Sequence, residues 1–263
     1  MKTMIKNELR LSAKQLAIWL GIMLILVGFC YYEYLSLKDT LEEVSQMLNT
    51  LPALLVIMFG VKGDLNTALG WYSVIYFWSS ILAFVYALNS GISCVEKELK
   101  QGTYEYLFTK PVRRTEIVVS KVIAFMVNIF VFAVFSGILN YFMIILPAGG
   151  LKQPEAIFTT TAGLFFTQLM LFSMGLFIAS IVKKQRSAMQ IGTLLLLAFY
   201  GISIAAEYTN MWFLDFMSPF RYFDVYEVTL GGIPVLPFMI AGLLIVFCIS
   251  VSIYEWKNRE IYK

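Results

Sequence analysis

The chain has 263 residues, with 20 Lys and Arg against 17 Asp and Glu, no histidine and a net charge of +3. Hydrophobic residues make up 59% and charged residues 14%, against about 45–50% and 25% in ordinary soluble domains. This balance excludes a soluble globular domain, does not point to nucleic acid, and predicts an all-α polytopic membrane protein, since several charge-free runs exceed the roughly 20 residues of a spanning helix.

The absence of histidine removes His-ligated zinc, Ser-His-Asp catalysis and His proton relays. Cys30, Cys94 and Cys248 fall in or beside expected spans without metal-ligand spacing, so they read as apolar filler and no metal site is expected.

In chain order, residues 1–15 place Lys2, Lys6, Arg10 and Lys14 four apart, one basic stripe on a helix. The stripe suits an interfacial helix on the cytosolic leaflet or the positive flank of a first span. Span one is expected over 16–35, uncleaved because Tyr-Tyr-Glu-Tyr offers no small-residue cleavage site. Residues 36–68 form an acidic outer loop in which Leu41, Val44, Leu48 and Leu51 recur at helical spacing. Pro52 then opens an apolar run too short to cross a bilayer. Span two is expected over 69–93, span three over 117–146, span four over 156–182 and span five over 187–206. A second outer loop, 207–233, is acidic and aromatic, and span six covers 234–254. Counting Lys121 at the inner end of span three, sixteen of the 20 Lys and Arg lie on the side this scheme places inside, which puts both termini in the cytosol.

The most charged stretch, 96–116, lies between two charge-free runs. Gly102 and Pro111 bracket a helix-prone block, Thr103 to Lys110, with Tyr104, Tyr106, Leu107 and Phe108 as apolar bulk. After Pro111 a helix restarts, with Thr115 a plausible N-cap and Glu116 in its first turn. Physically this is a short amphipathic helix near the membrane face, either resting on the membrane or offered to another protein.

Glu96, Glu98, Gly102, Thr103, Glu105, Leu107, Pro111, Val112, Arg114, Glu116, Ile117 and Lys121 together resemble the cytosolic loop of ABC-2-type transporter permeases. The resemblance implies six transmembrane helices, an amphipathic elbow helix at 1–15, and a cytosolic coupling helix between spans two and three that docks on a separate ABC ATPase. In that role Glu96, Glu98 and Glu105 would meet basic groups, and Tyr106, Leu107 and Phe108 would fill the docking groove. Arg113 and Arg114 would pair with acids on the ATPase or with lipid phosphates. It also implies a second copy or a sister permease, and a multi-pass place in the plasma membrane. Residues 218–224 resemble the family's segment before the last span.

The expected spans carry no Asp, Glu, Lys or Arg deep in the bilayer, where ion-coupled carriers usually need them. No G-x-x-x-x-G-K-[ST] loop is present, so ATP and Mg belong to a partner chain and this chain binds no cofactor of its own. Among polar span residues, Asn128 and Gln168 are candidates for a substrate path, and inter-helix hydrogen bonding is the plainer role for both. A membrane-embedded enzyme lacks its residues here: no Ser-His pair, no His-held metal, no paired Asp in a span. The expected function is the permease subunit of an ATP-driven exporter of an amphipathic or lipophilic substrate, such as an antimicrobial peptide, toxin, drug or lipid-like molecule. The alternative is a non-transporting anchor or sensor that recruits a cytosolic partner.

Overall fold

A computed structural model describes residues 1–101, 114–149, 155–182, 184–232 and 234–258. Among these residues the regular structure is helix without strand, and it includes six helices long and apolar enough to cross a membrane. The long helices are α1 (Lys2–Leu37), α4 (Ala68–Gln101), α5 (Arg114–Asn140), α6 (Glu155–Ile181), α7 (Gln185–Thr209) and α10 (Val235–Asn258). A π-helical turn, Tyr141–Ile145, continues α5. Short helices fill the connections: α2 (Leu41–Asn49), α3 (Ala53–Met58), α8 (Trp212–Asp215) and α9 (Val225–Gly231).

The chain is a multi-pass membrane protein whose bundle is built around one helix pair. α4 and α6 pack along each other, with 61% and 67% of their most apolar windows buried. α5 packs on both, α1 covers α5, α10 covers α6 and α7 leans on α4. The outer helices α1, α7 and α10 each bury only 17% of that window, and turn Ile25, Leu194 and Leu243 outward. Such faces suit hydrocarbon, which is no less apolar than the side chains themselves.

The expected elbow helix and first span lie in one continuous 36-residue helix, α1. Nothing between Leu11 and Leu20 is a glycine or proline, so the charge boundary near Lys14 carries no break in the backbone. In the connection after α1, Leu41 is buried, Val44 and Leu48 pack beside it, and α3 begins directly after Pro52. The end of the bundle where α4 closes and α5 opens is here the loop end; the opposite end is the far end.

Candidate functional site

The coupling stretch falls mostly outside the described residues: Gly102, Thr103, Glu105, Tyr106, Leu107, Phe108, Pro111 and Arg113 all lie there. Glu96 and Glu98 belong to the closing turns of α4, and Arg114 is the first residue of α5. Glu116 sits in the first turn of α5, half-buried, where a carboxylate complements the helix dipole.

At the loop end, α1 is tied to the start of α5 by two polar contacts. Lys121 Nζ lies 2.9 Å from Glu8 Oε1, with side chains only 4% and 16% exposed. Further along both helices, Asn128 Nδ2 donates to Ser12 Oγ at 2.8 Å. Ser12 Oγ in turn donates to the Glu8 carbonyl, 2.8 Å away. Glu8 and Ser12 are four apart and share one face of α1. Lys2, Lys6, Arg10 and Lys14 are exposed on other faces. The helix that emerges from segment 102–113 is thus held to the N-terminal helix through a buried ion pair.

Between α4 and α6 the polar groups bond across the helix pair. Tyr72 and Thr160 share a hydroxyl–hydroxyl bond of 2.7 Å, and Tyr76 donates to the Thr160 carbonyl at 3.0 Å. Gln168 Nε2 donates to the Ala83 carbonyl at 3.3 Å, leaving Oε1 buried without a hydrogen-bond partner among the described residues. Asn128 and Gln168 are therefore both buried and both bonded to a neighbouring helix.

The far end holds a charge cluster that the sequence shows only as scattered loop residues. Lys62, on the turn after α3, lies 2.6 Å from Asp224 Oδ2 and 2.7 Å from Glu207 Oε2. Arg221 bonds the same Glu207 oxygen through Nη1, Asp215 through Nε at 2.9 Å and Glu227 through Nη2 at 3.0 Å. Asp224 also caps α9, accepting from the backbone N–H groups of Tyr226 and Glu227. Burial pushes Asp224 upward, but the charge and hydrogen bond of Lys62, and then Arg221, outweigh it and hold the carboxyl below its ordinary range. Burial lowers Lys62 despite the pull of Asp224, and raises both Asp215 and Glu227. The available signal was the isolation of Lys62 and Arg221 among the acids of two loops.

Beneath the cluster lies a cavity of about 30 Å³, room for roughly two waters. Lys62, Glu207, Arg221 and Asp224 line it, with hydroxyls from Ser73, Tyr76, Ser80 and Ser203. Phe220 forms part of its wall, its ring 4.9 Å from Phe84 and 6.1 Å from Tyr200. Among the described residues, no group of three His, Cys, Asp or Glu side chains is placed to hold a metal ion.

A family model described as ABC-2 family transporter protein matches residues 3–254. No curated protein matches the chain significantly.

Proposed function

Because the chain belongs to the ABC-2 family of transporter proteins, we propose that it is the permease subunit of an ATP-driven exporter, docked through segment 102–113 on a separate ABC ATPase. The observation that carries this reading is the family match across 3–254 on a six-helix bundle. Both termini and the loop end face the cytosol, in keeping with sixteen of 20 cations on that side, and the protein resides in the plasma membrane. Tyr106, Leu107 and Phe108 fill a groove on the ATPase, flanked by charge pairs from Glu96, Glu98, Glu105, Arg113 and Arg114.

Movement of the ATPase reaches the bundle through α4 and α5, which enter and leave the docking segment. The Glu8–Lys121 pair ties the start of α1 to α5, so the two move together while the pair is made. A second copy or a sister permease completes the translocation path. The uncharged, Phe-rich spans suit an amphipathic or lipophilic cargo, whose transfer needs no mid-membrane ionisable group.

The test is ATPase activity of a cognate ABC ATPase co-purified with this chain. Leu107→Asp combined with Tyr106→Ala is expected to abolish both binding and substrate-stimulated turnover. Normal binding and turnover by that variant would make the segment a mere connector and overturn the coupling role.

A further inference from the structure

We propose that the Lys62 turn is a hinged lid over the far-end cavity, latched by Asp224 and Glu207, and that its release opens the space between α4 and α7 to the far side of the membrane. The inference goes beyond the exporter reading, because the lid is defined by its own contacts and can be tested without an ATPase.

Four observations meet at this turn. First, Lys62 stands between two left-handed glycines, Gly60 at φ 73° and Gly63 at φ 63°, so the charge rides on a segment with a positive-φ residue on each side. A β-carbon on Gly60 would strike the Phe77 ring, and one on Gly63 the Tyr226 hydroxyl, so the turn seats closely on α4 and α9. Second, the receiving side is a fixed frame. Ser218 Oγ donates to the Phe199 carbonyl on α7 at 2.7 Å, and the Phe223 ring fills the space above Gly163 on α6. Arg221 sits within that frame and gathers Glu207, Asp215 and Glu227, which positions the Glu207 carboxylate for Lys62.

Third, the contact is ionic where an apolar one would be cheaper. Burying charges carries a desolvation cost that well-packed apolar groups avoid, so an ion pair is a weak way to make a permanent seal. It is a suitable way to make a reversible one, because water can solvate both partners once they part. Fourth, the space under the lid is lined with hydroxyls and large enough for water, while Phe220, Phe84 and Tyr200 form an aromatic layer beside it. A charged turn beside an aromatic layer gives this end of the bundle two barriers of different kind, one ionic and one apolar. Lys62 and Asp224 are 162 residues apart in sequence, so the latch joins the two loop systems that close this end of the bundle.

The experiment uses the full chain in lipid nanodiscs, open to reagent from both faces. Ser203→Cys places a thiol in the cavity wall, and its labelling by a charged maleimide is followed by peptide mass spectrometry. The buried native thiols Cys94 and Cys248 serve as internal reporters of general loosening. With Lys62 intact, the added thiol is expected to react slowly. Lys62→Met should speed labelling about tenfold or more by raising the population of the open form, while Lys62→Arg should keep the slow rate. Arg221→Met, which leaves Lys62 in place, should give an intermediate rate. Equal rates with and without the Lys62→Met substitution would overturn the lid, and so would a parallel rise at Cys94 and Cys248.

Discussion

Gly175 on α6 lies against Gly91 on α4 so closely that a β-carbon on Gly175 would stand 3.3 Å from the Gly91 Cα. A β-carbon on Gly91 would run into the Phe172 carbonyl, and one on Gly175 into the Leu88 carbonyl. The two backbones therefore touch at the centre of the bundle, the small-residue packing that membrane helices use where no hydrophobic drive brings them together. Gly91→Ala or Gly175→Ala must separate α4 from α6, and each is expected to cost about 1–3 kcal/mol as overpacking. Gly21→Ala on α1, where a β-carbon meets nothing, should be neutral or better. Thermal unfolding of the three variants in one detergent checks this, and equal melting temperatures would place the tight crossing elsewhere.

Replacing Lys121 by Met leaves Glu8 buried without this partner. The expected loss is about 3–5 kcal/mol, most of it the cost of the stranded carboxylate. The double variant Lys121→Met with Glu8→Leu removes both charges and should recover most of that loss. If the pair also transmits motion from segment 102–113, the double variant will be stable yet poorly stimulated by substrate. A double-mutant cycle on melting temperature, run beside ATPase stimulation, separates the two contributions.

The six spans were legible because each holds a long uncharged run, and a bilayer leaves helix as the only choice for such a run in this composition. The continuity of α1 was not, since its charge pattern changes near Lys14 while its backbone propensities do not. Glu8 carried no signal at all: its partner Lys121 is 113 residues away, and only folding brings them together. For Lys62 and Asp224 the only signal was a lone cation among acids: the two stand 162 residues apart, and they meet through the packing of α4, α7 and α9. Segment 102–113 is the reverse case, where the sequence pattern is the richest and the described structure stops at its edges.

The far-end acids give the cluster a two-sided pH response. Burial raises Glu227 above its ordinary 4.5 and Asp215 above its ordinary 3.8, so the folded protein takes up these protons at higher pH than the unfolded chain. More protons bound in the folded state means that stability rises as pH falls through those folded values. Asp224 acts in the opposite sense. Its carboxyl lies below its ordinary 3.8, so its contribution is complete above that value and is lost as pH falls through the lower, folded value. As pH falls from neutral toward the ordinary glutamate value of 4.5, the melting temperature of the wild type is expected to rise relative to Glu227→Gln. Under more acid conditions the wild type should fall more steeply than Asp224→Asn. A wild type that tracks Glu227→Gln throughout would mean that Glu227 is not shifted.

Gln168 separates packing from transport. Its side chain is fully buried between α4 and α6, spends one long bond on the Ala83 carbonyl and leaves Oε1 without a partner. An inter-helix hydrogen bond in a membrane protein is worth about 0.6 kcal/mol, whereas a buried unsatisfied carbonyl oxygen costs about 1–3 kcal/mol. Gln168→Leu keeps nearly the same volume and removes both terms, so the folded state should be unchanged or more stable by about 1 kcal/mol. Asn128→Leu differs, because Asn128 Nδ2 satisfies Ser12 Oγ at 2.8 Å and its loss loosens α1 from α5. That variant is expected to lose about 1 kcal/mol. Melting temperatures and substrate-stimulated turnover should be measured on the same preparations. A Gln168→Leu protein that melts higher yet loses stimulation would make the amide part of the transport path. One that melts higher and works normally would leave Gln168 a residue of helix packing, and a large drop in its melting temperature would show that Oε1 has a partner after all.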